Sequence, residues 1–224
     1  ICGTTGEAPT LSDAEKLKMF LRAKEYVGNT CKIIAGTGSN STAHTLELSK
    51  AAEQCGVDGL LVVSPYYNKA TQDGLNAHYI AVAQTVDIPI ILYNVPSRTG
   101  VDIPLSVYKN LAGMKNIAGI KEASTDIKKI IKILSSCGDS LPIWSGNDDM
   151  TVPMMSLGAK GVISVLSNIA PIETQAMAKA ALSGDYKTAA ALQIELQPLI
   201  EMLFCDVSPV PVKEAMKIIG FDCG

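Results

Sequence analysis

Short runs of β-branched and apolar residues alternate along this chain with longer stretches in which apolar positions recur at helical spacing. Runs at 32–35, 59–63, 88–93, 117–121, 141–145 and 161–165 read as strands. Helical patterns fill 12–27, 41–55, 71–86, 104–112, 125–136, 148–157 and 171–183. The first helix opens on a capping box, Ser12 with Glu15 three residues on, and Ser41 or Thr42 caps the second. Strand ends return about every 20 to 30 residues, the spacing of successive βα units, and such alternation implies a parallel sheet. A doubly wound sheet and a closed barrel both satisfy that periodicity. The polar strand ends favour the barrel: Thr4, Tyr67, Tyr93, Lys121, Gly146 and Ile163 follow six different strands, and in a (β/α)₈ barrel all such ends converge on one mouth. After about residue 186 the pattern is purely helical, at 189–204 and 209–219.

Length and charge narrow the picture without naming a chemistry. The 224 residues suit one large domain, and no linker, charge block or low-complexity stretch divides them. A net charge of -3 with scattered Lys and Arg offers no basic stripe for nucleic acid. The six cysteines, at 2, 31, 55, 137, 205 and 223, form no CxxC pair or His-containing cluster, so they read as thiols of a reducing compartment and metal binding is not expected. No apolar run approaches the roughly 20 residues that cross a bilayer, and the start lacks the layout of a signal peptide, which makes the cytoplasm the expected setting.

The candidate chemistry begins with Lys121, which ends the apolar run 116–120. A cation there is paired, desolvated or used, because a parallel strand is buried on both faces. Desolvation disfavours the ammonium and frees a nucleophilic amine, so Lys121 is a Schiff-base candidate; an isolated strand-end lysine more often snorkels to water. Tyr93 sits at another strand end with Arg98 five residues on, a phenol able to move protons beside a guanidinium able to grip a carboxylate. Gly3-Thr4-Thr5-Gly6-Glu7 sets two hydroxyls and exposed N–H groups in a turn suited to an anion, although a plain turn explains it in isolation. Tyr66 and Tyr67 follow a proline and suit an interface. Gly36-Thr37-Gly38 resembles half of a dinucleotide fingerprint, but Ser41 replaces the third glycine and no acidic residue marks the next strand end, so nucleotide binding is rejected. His44 and His78 lie in helical patterns as solvated or packed residues, and Asp148 and Asp149 read as helix caps.

Taken together, Gly3-Thr-Thr-Gly-Glu7, Ser64-Pro-Tyr-Tyr-Asn68, Tyr93-Asn-Val-Pro-Ser-Arg-Thr-Gly100, Gly119-Ile-Lys-Glu-Ala123 and Gly161-Val-Ile-Ser-Val165 resemble the dihydrodipicolinate synthase family over essentially the whole chain. The resemblance implies an α/β fold, a (β/α)₈ TIM barrel with a C-terminal helical appendix. It also implies a homotetramer of tight dimers that condenses pyruvate with aspartate semialdehyde on the route to diaminopimelate and lysine, with no metal and no organic cofactor. Lys121 resembles the Schiff-base lysine and Tyr93 the proton-shuttling phenol. Thr4 resembles the hydroxyl linking Tyr93 to a second tyrosine, matched by Tyr67 and contributed across the tight-dimer interface. Thr5 resembles a pyruvate-carboxylate contact, Arg98 the binder of the semialdehyde carboxylate, and Gly146 and Ile163 line the pyruvate pocket in such enzymes. N-acetylneuraminate lyase shares the barrel and the lysine, as do other pyruvate aldolases, but Arg98 and the Thr4-Thr5 pair favour the synthase. A non-catalytic keto-acid-binding barrel is the reading of a different class, and retention of the catalytic side chains opposes it.

Two departures from the family pattern accompany the resemblance. About one βα unit is expected before the Gly-Thr-Thr-Gly-Glu loop and further helix after the last residue. The chain therefore reads as truncated at both ends: a barrel over 1–185 lacking its first βα unit, and the start of a helical region over 186–224. Lysine-inhibited members commonly place a histidine and a glutamate where Lys16 and His44 stand here, with Asn40 and Tyr66 retained. Replacing acceptors by cations weakens the binding of a cationic effector, so poor sensitivity to lysine is expected.

Overall fold

Side chains acting on the ends of the predicted elements decide where each one stops in the computed structural model, which describes residues 1–224. Contacts divide the chain into two compact units, Ile1–Ile120 with Ser135–Pro142, and Lys121–Leu134 with Ile143–Gly224. Sheet order follows chain order through the strands Ile34–Gly36, Gly59–Val63, Ile90–Asn94, Ile117–Glu122 and Ile143–Ser145.

The first unit alternates helix and strand: α1 (Asp13–Val27), β1 (Ile34–Gly36), α2 (Thr42–Gln54), β2 (Gly59–Val63), α3 (Gln72–Thr85), β3 (Ile90–Asn94), the single turn α4 (Pro96–Thr99), α5 (Leu105–Leu111) and the body of β4 (Ile117–Glu122). The capping box of α1 is formed, with Ser12 Oγ accepting from Glu15 N at 3.3 Å and Glu15 Oε2 accepting from Ser12 N at 2.8 Å. Such a cap stabilises a helix by about 1 kcal/mol. Ser41, rather than Thr42, caps α2. Pairing is parallel, with Ile34 opposite Gly59 and Leu60 opposite Ile90. Leu60, Leu61 and Val62 of β2 are all buried, as a parallel strand covered on both faces requires. Ile1 lies alongside β1: its carbonyl accepts from Gly36 N at 2.8 Å and its amino group donates to Ile34 O at 2.6 Å.

The predicted first strand, 32–35, is shifted because a carboxylate takes its leading N–H. Asp58 Oδ2 accepts from Ile33 N at 2.9 Å and from Lys24 Nζ at 2.9 Å, while Lys32 Nζ reaches Oδ1 at 3.1 Å. The backbone bond to Ile33 and the two ammonium groups hold the Asp58 carboxyl far below the usual carboxylate range. Gly36 and Gly38 are needed for close approach of chain segments. A Cβ on Gly36 would lie 2.0 Å from Cys2 O and one on Gly38 2.4 Å from Val63 N, which accounts for both glycines without a nucleotide.

The second unit holds the end of β4, most of α6 (Ile127–Cys137), β5 (Ile143–Ser145), α7 (Thr151–Ser156), α8 (Pro171–Leu182), α9 (Tyr186–Leu203) and α10 (Val210–Ile218). α8 packs on α7 and α9, with Met177, Ala181, Ala189 and Ile200 buried. The predicted strand 161–165 is reduced to one parallel bridge, Ser145 to Val162. Asp148 explains the loss: its Oδ2 accepts from Val165 N and Leu166 N, each at 3.0 Å, and turns the chain into a short 3₁₀ segment over Leu166–Asn168. Asp148 is therefore buried and ties down residues ahead of it in the chain, and does not cap its own helix. No helix is long and apolar enough to cross a membrane.

Candidate active site

A cavity of about 650 Å³ opens within the first unit, and Thr4, Tyr93 and Arg98 are among its lining residues, with Lys16, His44 and Tyr66. Tyr93 reaches it from the end of β3 and is only 5% exposed. Burial raises the pKa of its phenol, against the opposing pull of a hydrogen bond with Thr4 and the positive charge of Arg98. The phenol, already protonated at neutral pH, is held more firmly in the state in which a hydroxyl donates and relays protons.

Arg98 stands on α4, directly after that strand, and two buried polar side chains fix the turn. Asn94 Oδ1 accepts from Ile103 N at 3.0 Å and its Nδ2 donates to Asp102 Oδ1 at 2.9 Å. Thr99 Oγ1 accepts from Val101 N at 3.1 Å and lies 3.1 Å from Val95 O. Arg98 itself is exposed. Thr5 is half-buried and does not line the cavity. Of the two tyrosines, Tyr66 lines it, whereas Tyr67 is 84% exposed at a φ of 73° and donates its N–H to Thr99 O at 3.3 Å.

A cluster that the sequence reading did not assemble lies on the same cavity. Asp13 receives His44 Nε2 at 2.8 Å on one carboxylate oxygen and Lys16 Nζ at 3.3 Å on the other. Partial burial works to raise the Asp13 pKa, but His44 and Lys16 outweigh it and hold the carboxyl below its ordinary value. The signal for this contact was the i, i+3 spacing of Asp13 and Lys16 on α1.

Lys121, Gly146 and Ile163 belong to the second unit. Lys121 is half-buried in β4, which runs one residue further than the apolar pattern to end on a buried Glu122. Gly146 N donates to Glu122 O at 2.7 Å, and Ile163 N donates to Ser145 O at 2.8 Å, so both reach the second unit's strand ends through backbone bonds. No group of three or more His, Cys, Asp or Glu side chains is arranged to hold a metal ion.

The sequence model of the Dihydrodipicolinate synthetase family matches residues 1–224. The 4-hydroxy-tetrahydrodipicolinate synthase of Thermoanaerobacter sp. (strain X514) is 48% identical over 225 residues, which take in 100% of this chain and 76% of that protein. The crystal structure of dihydrodipicolinate synthase from Aquifex aeolicus is similar at a TM-score of 0.97 and 45% identity, over 99% of this chain and 76% of that one. A monomeric dihydrodipicolinate synthase variant is similar at a TM-score of 0.96 and 42% identity, over 99% of this chain and 75% of that one. Fold and relatives define an enzyme of the parallel α/β class, a lyase. Within that class the chain belongs to the dihydrodipicolinate synthetase family.

Proposed function

We propose that this chain condenses pyruvate with aspartate semialdehyde to give 4-hydroxy-tetrahydrodipicolinate, in lysine and diaminopimelate biosynthesis, through a Schiff base on Lys121. Membership of the family supports the reaction. The observation that carries the assignment of roles is Tyr93, buried, hydrogen-bonded to Thr4 and in the field of Arg98 on one cavity. In this reading the Lys121 amine attacks the ketone carbon of pyruvate, and water leaves as the imine forms. Loss of a methyl proton, carried by Tyr93 and Thr4, gives the enamine. The enamine carbon then adds to the aldehyde carbon of the semialdehyde while Arg98 holds its carboxylate, and the aldehyde oxygen takes up a proton. Finally, the semialdehyde's own amine attacks the imine carbon, closes the ring and expels Lys121.

Thr5 serves the pyruvate carboxylate in this scheme, and Gly146 and Ile163 bound the pyruvate pocket. Tyr67 completes the proton relay from a neighbouring copy in a homotetramer of tight dimers, a role that its exposure supports. The six cysteines are free thiols, which supports the cytoplasm as the setting. Arg98 and Thr4 on the cavity favour the synthase over N-acetylneuraminate lyase, whose acceptor carries no carboxylate. Borohydride trapping with pyruvate tests the scheme: an adduct mapped to Lys121 is expected, and a folded sample without one overturns it. Comparing aspartate semialdehyde with N-acetylmannosamine as acceptor tests the substrate, and turnover of only the second would assign the lyase.

A further inference from the structure

Glu122 carries a fully buried carboxylate one residue beyond Lys121. Successive side chains of a strand point to opposite faces, so this carboxylate does not share the face on which the lysine side chain lies. Two of its contacts are structural. Oε1 accepts from Ser124 N at 2.8 Å, and Oε2 lies 3.9 Å from Lys129 Nζ on α6, a lysine that is itself nearly buried. The first contact spans Ala123 and pins the chain immediately after the strand. The main chain of the same residue is held too, since Glu122 O accepts from Gly146 N at 2.7 Å.

A second side chain holds the next carbonyl. Asn147 Nδ2 donates to Ala123 O at 3.2 Å. Asn147 is in turn oriented by Ser145, whose Oγ accepts from Asn147 N at 3.2 Å and donates to Asn147 O at 2.7 Å. Between these residues the two strand ends come so close that a Cβ on Gly146 would stand 2.7 Å from Ala123 Cβ. Glycine is thus required there by the contact with Ala123. Three backbone groups on the three residues after Lys121 (Glu122 O, Ala123 O and Ser124 N) are therefore each tied to a defined partner.

We infer that Glu122 and Asn147 are positioning residues for Lys121, fixing the peptide groups beyond it so that the amine is delivered in one orientation. The inference rests on the reading of Lys121 as the Schiff-base residue. It follows from the sensitivity of reaction rate to placement, where a displacement of about 1 Å costs on the order of a hundredfold. Neither side chain takes part in bond making. Both act through the backbone, which distinguishes them from Tyr93 and Thr4.

The test is the rate of borohydride-trapped adduct formation with pyruvate, per folded molecule, alongside steady-state kinetics. Wild-type chain must first give an adduct on Lys121; if it gives none, the lysine assignment fails and takes this inference with it. Given that adduct, Asn147→Ala and Glu122→Ala are expected to slow trapping and kcat by about tenfold or more, with the KM for pyruvate little changed. Glu122→Gln, which keeps an acceptor for Ser124 N, is expected to restore most of the rate. Asp58→Asn serves as a purely structural control, expected to lower the melting temperature while leaving trapping unaltered. Should Glu122→Ala fail to fold, half-buried Asn147 still decides the matter. Wild-type trapping rates in Asn147→Ala, or equal slowing in Asp58→Asn, overturn the inference and leave the lysine assignment standing.

Discussion

Tyr93, a phenol already protonated at neutral pH, holds its proton more firmly because burial disfavours the phenolate more than Thr4 and Arg98 favour it. Replacing it by Phe is expected to lower kcat by about two to three orders of magnitude with a small change in the KM for pyruvate, measured by steady-state kinetics. His78 shows the same physics without a catalytic use. It is buried, its Nδ1 lies 2.9 Å from Thr42 Oγ1, its Nε2 has no hydrogen-bond partner, and burial pushes its pKa down to about 4. Because the folded value lies below the ordinary one of 6.5, the unfolded chain takes up the proton first. The stability His78 contributes is complete above about pH 6.5 and drains away as pH falls towards 4. Urea unfolding is expected to show a loss of about 2 kcal/mol between pH 7 and pH 5 that His78→Gln removes. Lys16 and His44 converge on Asp13 at the cavity wall, leaving this carboxylate already occupied by two basic side chains. Millimolar lysine is accordingly expected to inhibit only weakly, and strong inhibition in a rate assay would contradict that. The catalytic candidates stood out in the sequence because an amine and a phenol at strand ends, with a guanidinium on the turn after one of them, are chemically out of place. Asp13 did not, since a carboxylate in the first turn of a helix already has a local explanation and its contact with His44 spans 31 residues. Glu122 escaped because its contact with Lys129, on the following helix, is made only by the fold.

At the scale of elements, helix positions and the strand at 59–63 followed from apolar patterning and caps, and the limits of other strands did not. The strand reading at 32–35 missed a shift because Asp58, distant in sequence, takes the Ile33 N–H. That at 141–145 began too early because Leu141 N is spent on Cys137 O at 2.7 Å and Pro142 has no N–H. At 161–165 the ladder was interrupted by Asp148. In each case a group remote from the run, or a turn closing before it, claimed a donor that periodicity assigns to the sheet. Asp148 also anchors α9, because Gln193 Nε2 donates to Asp148 O at 3.1 Å while Gln193 Oε1 accepts from Val152 N at 3.2 Å. Asp148→Ala would strand two buried N–H groups. Its expected cost is about 2 to 4 kcal/mol in chemical denaturation, with loss of the ordered 161–166 segment visible as faster amide exchange at Val165 and Leu166.

For the molecule as a whole, the class was readable because five motifs occur in one order along the chain, whereas assembly was not, because it depends on surfaces that a single sequence does not pair. Tyr67 offers a direct test of the proposed sharing of sites. If each copy lends its Tyr67 to a neighbour, Lys121→Ala and Tyr67→Phe chains are each nearly inactive alone. Co-assembled, they should regain activity in about a quarter of the sites, because a mixed pair contains one site with both groups intact. Sedimentation velocity on the same mixture checks that the copies associate, and recovery of activity by a monomer would refute the sharing. Arg98 carries a different consequence. It stands on an exposed turn whose shape is held by Asn94 and Thr99, directly after the strand that presents Tyr93. In the proposed scheme acceptor choice is thereby a module, detachable from imine chemistry: side chains on that turn could be exchanged in the laboratory, or by drift, to recruit new aldehydes while the proton relay goes on unchanged.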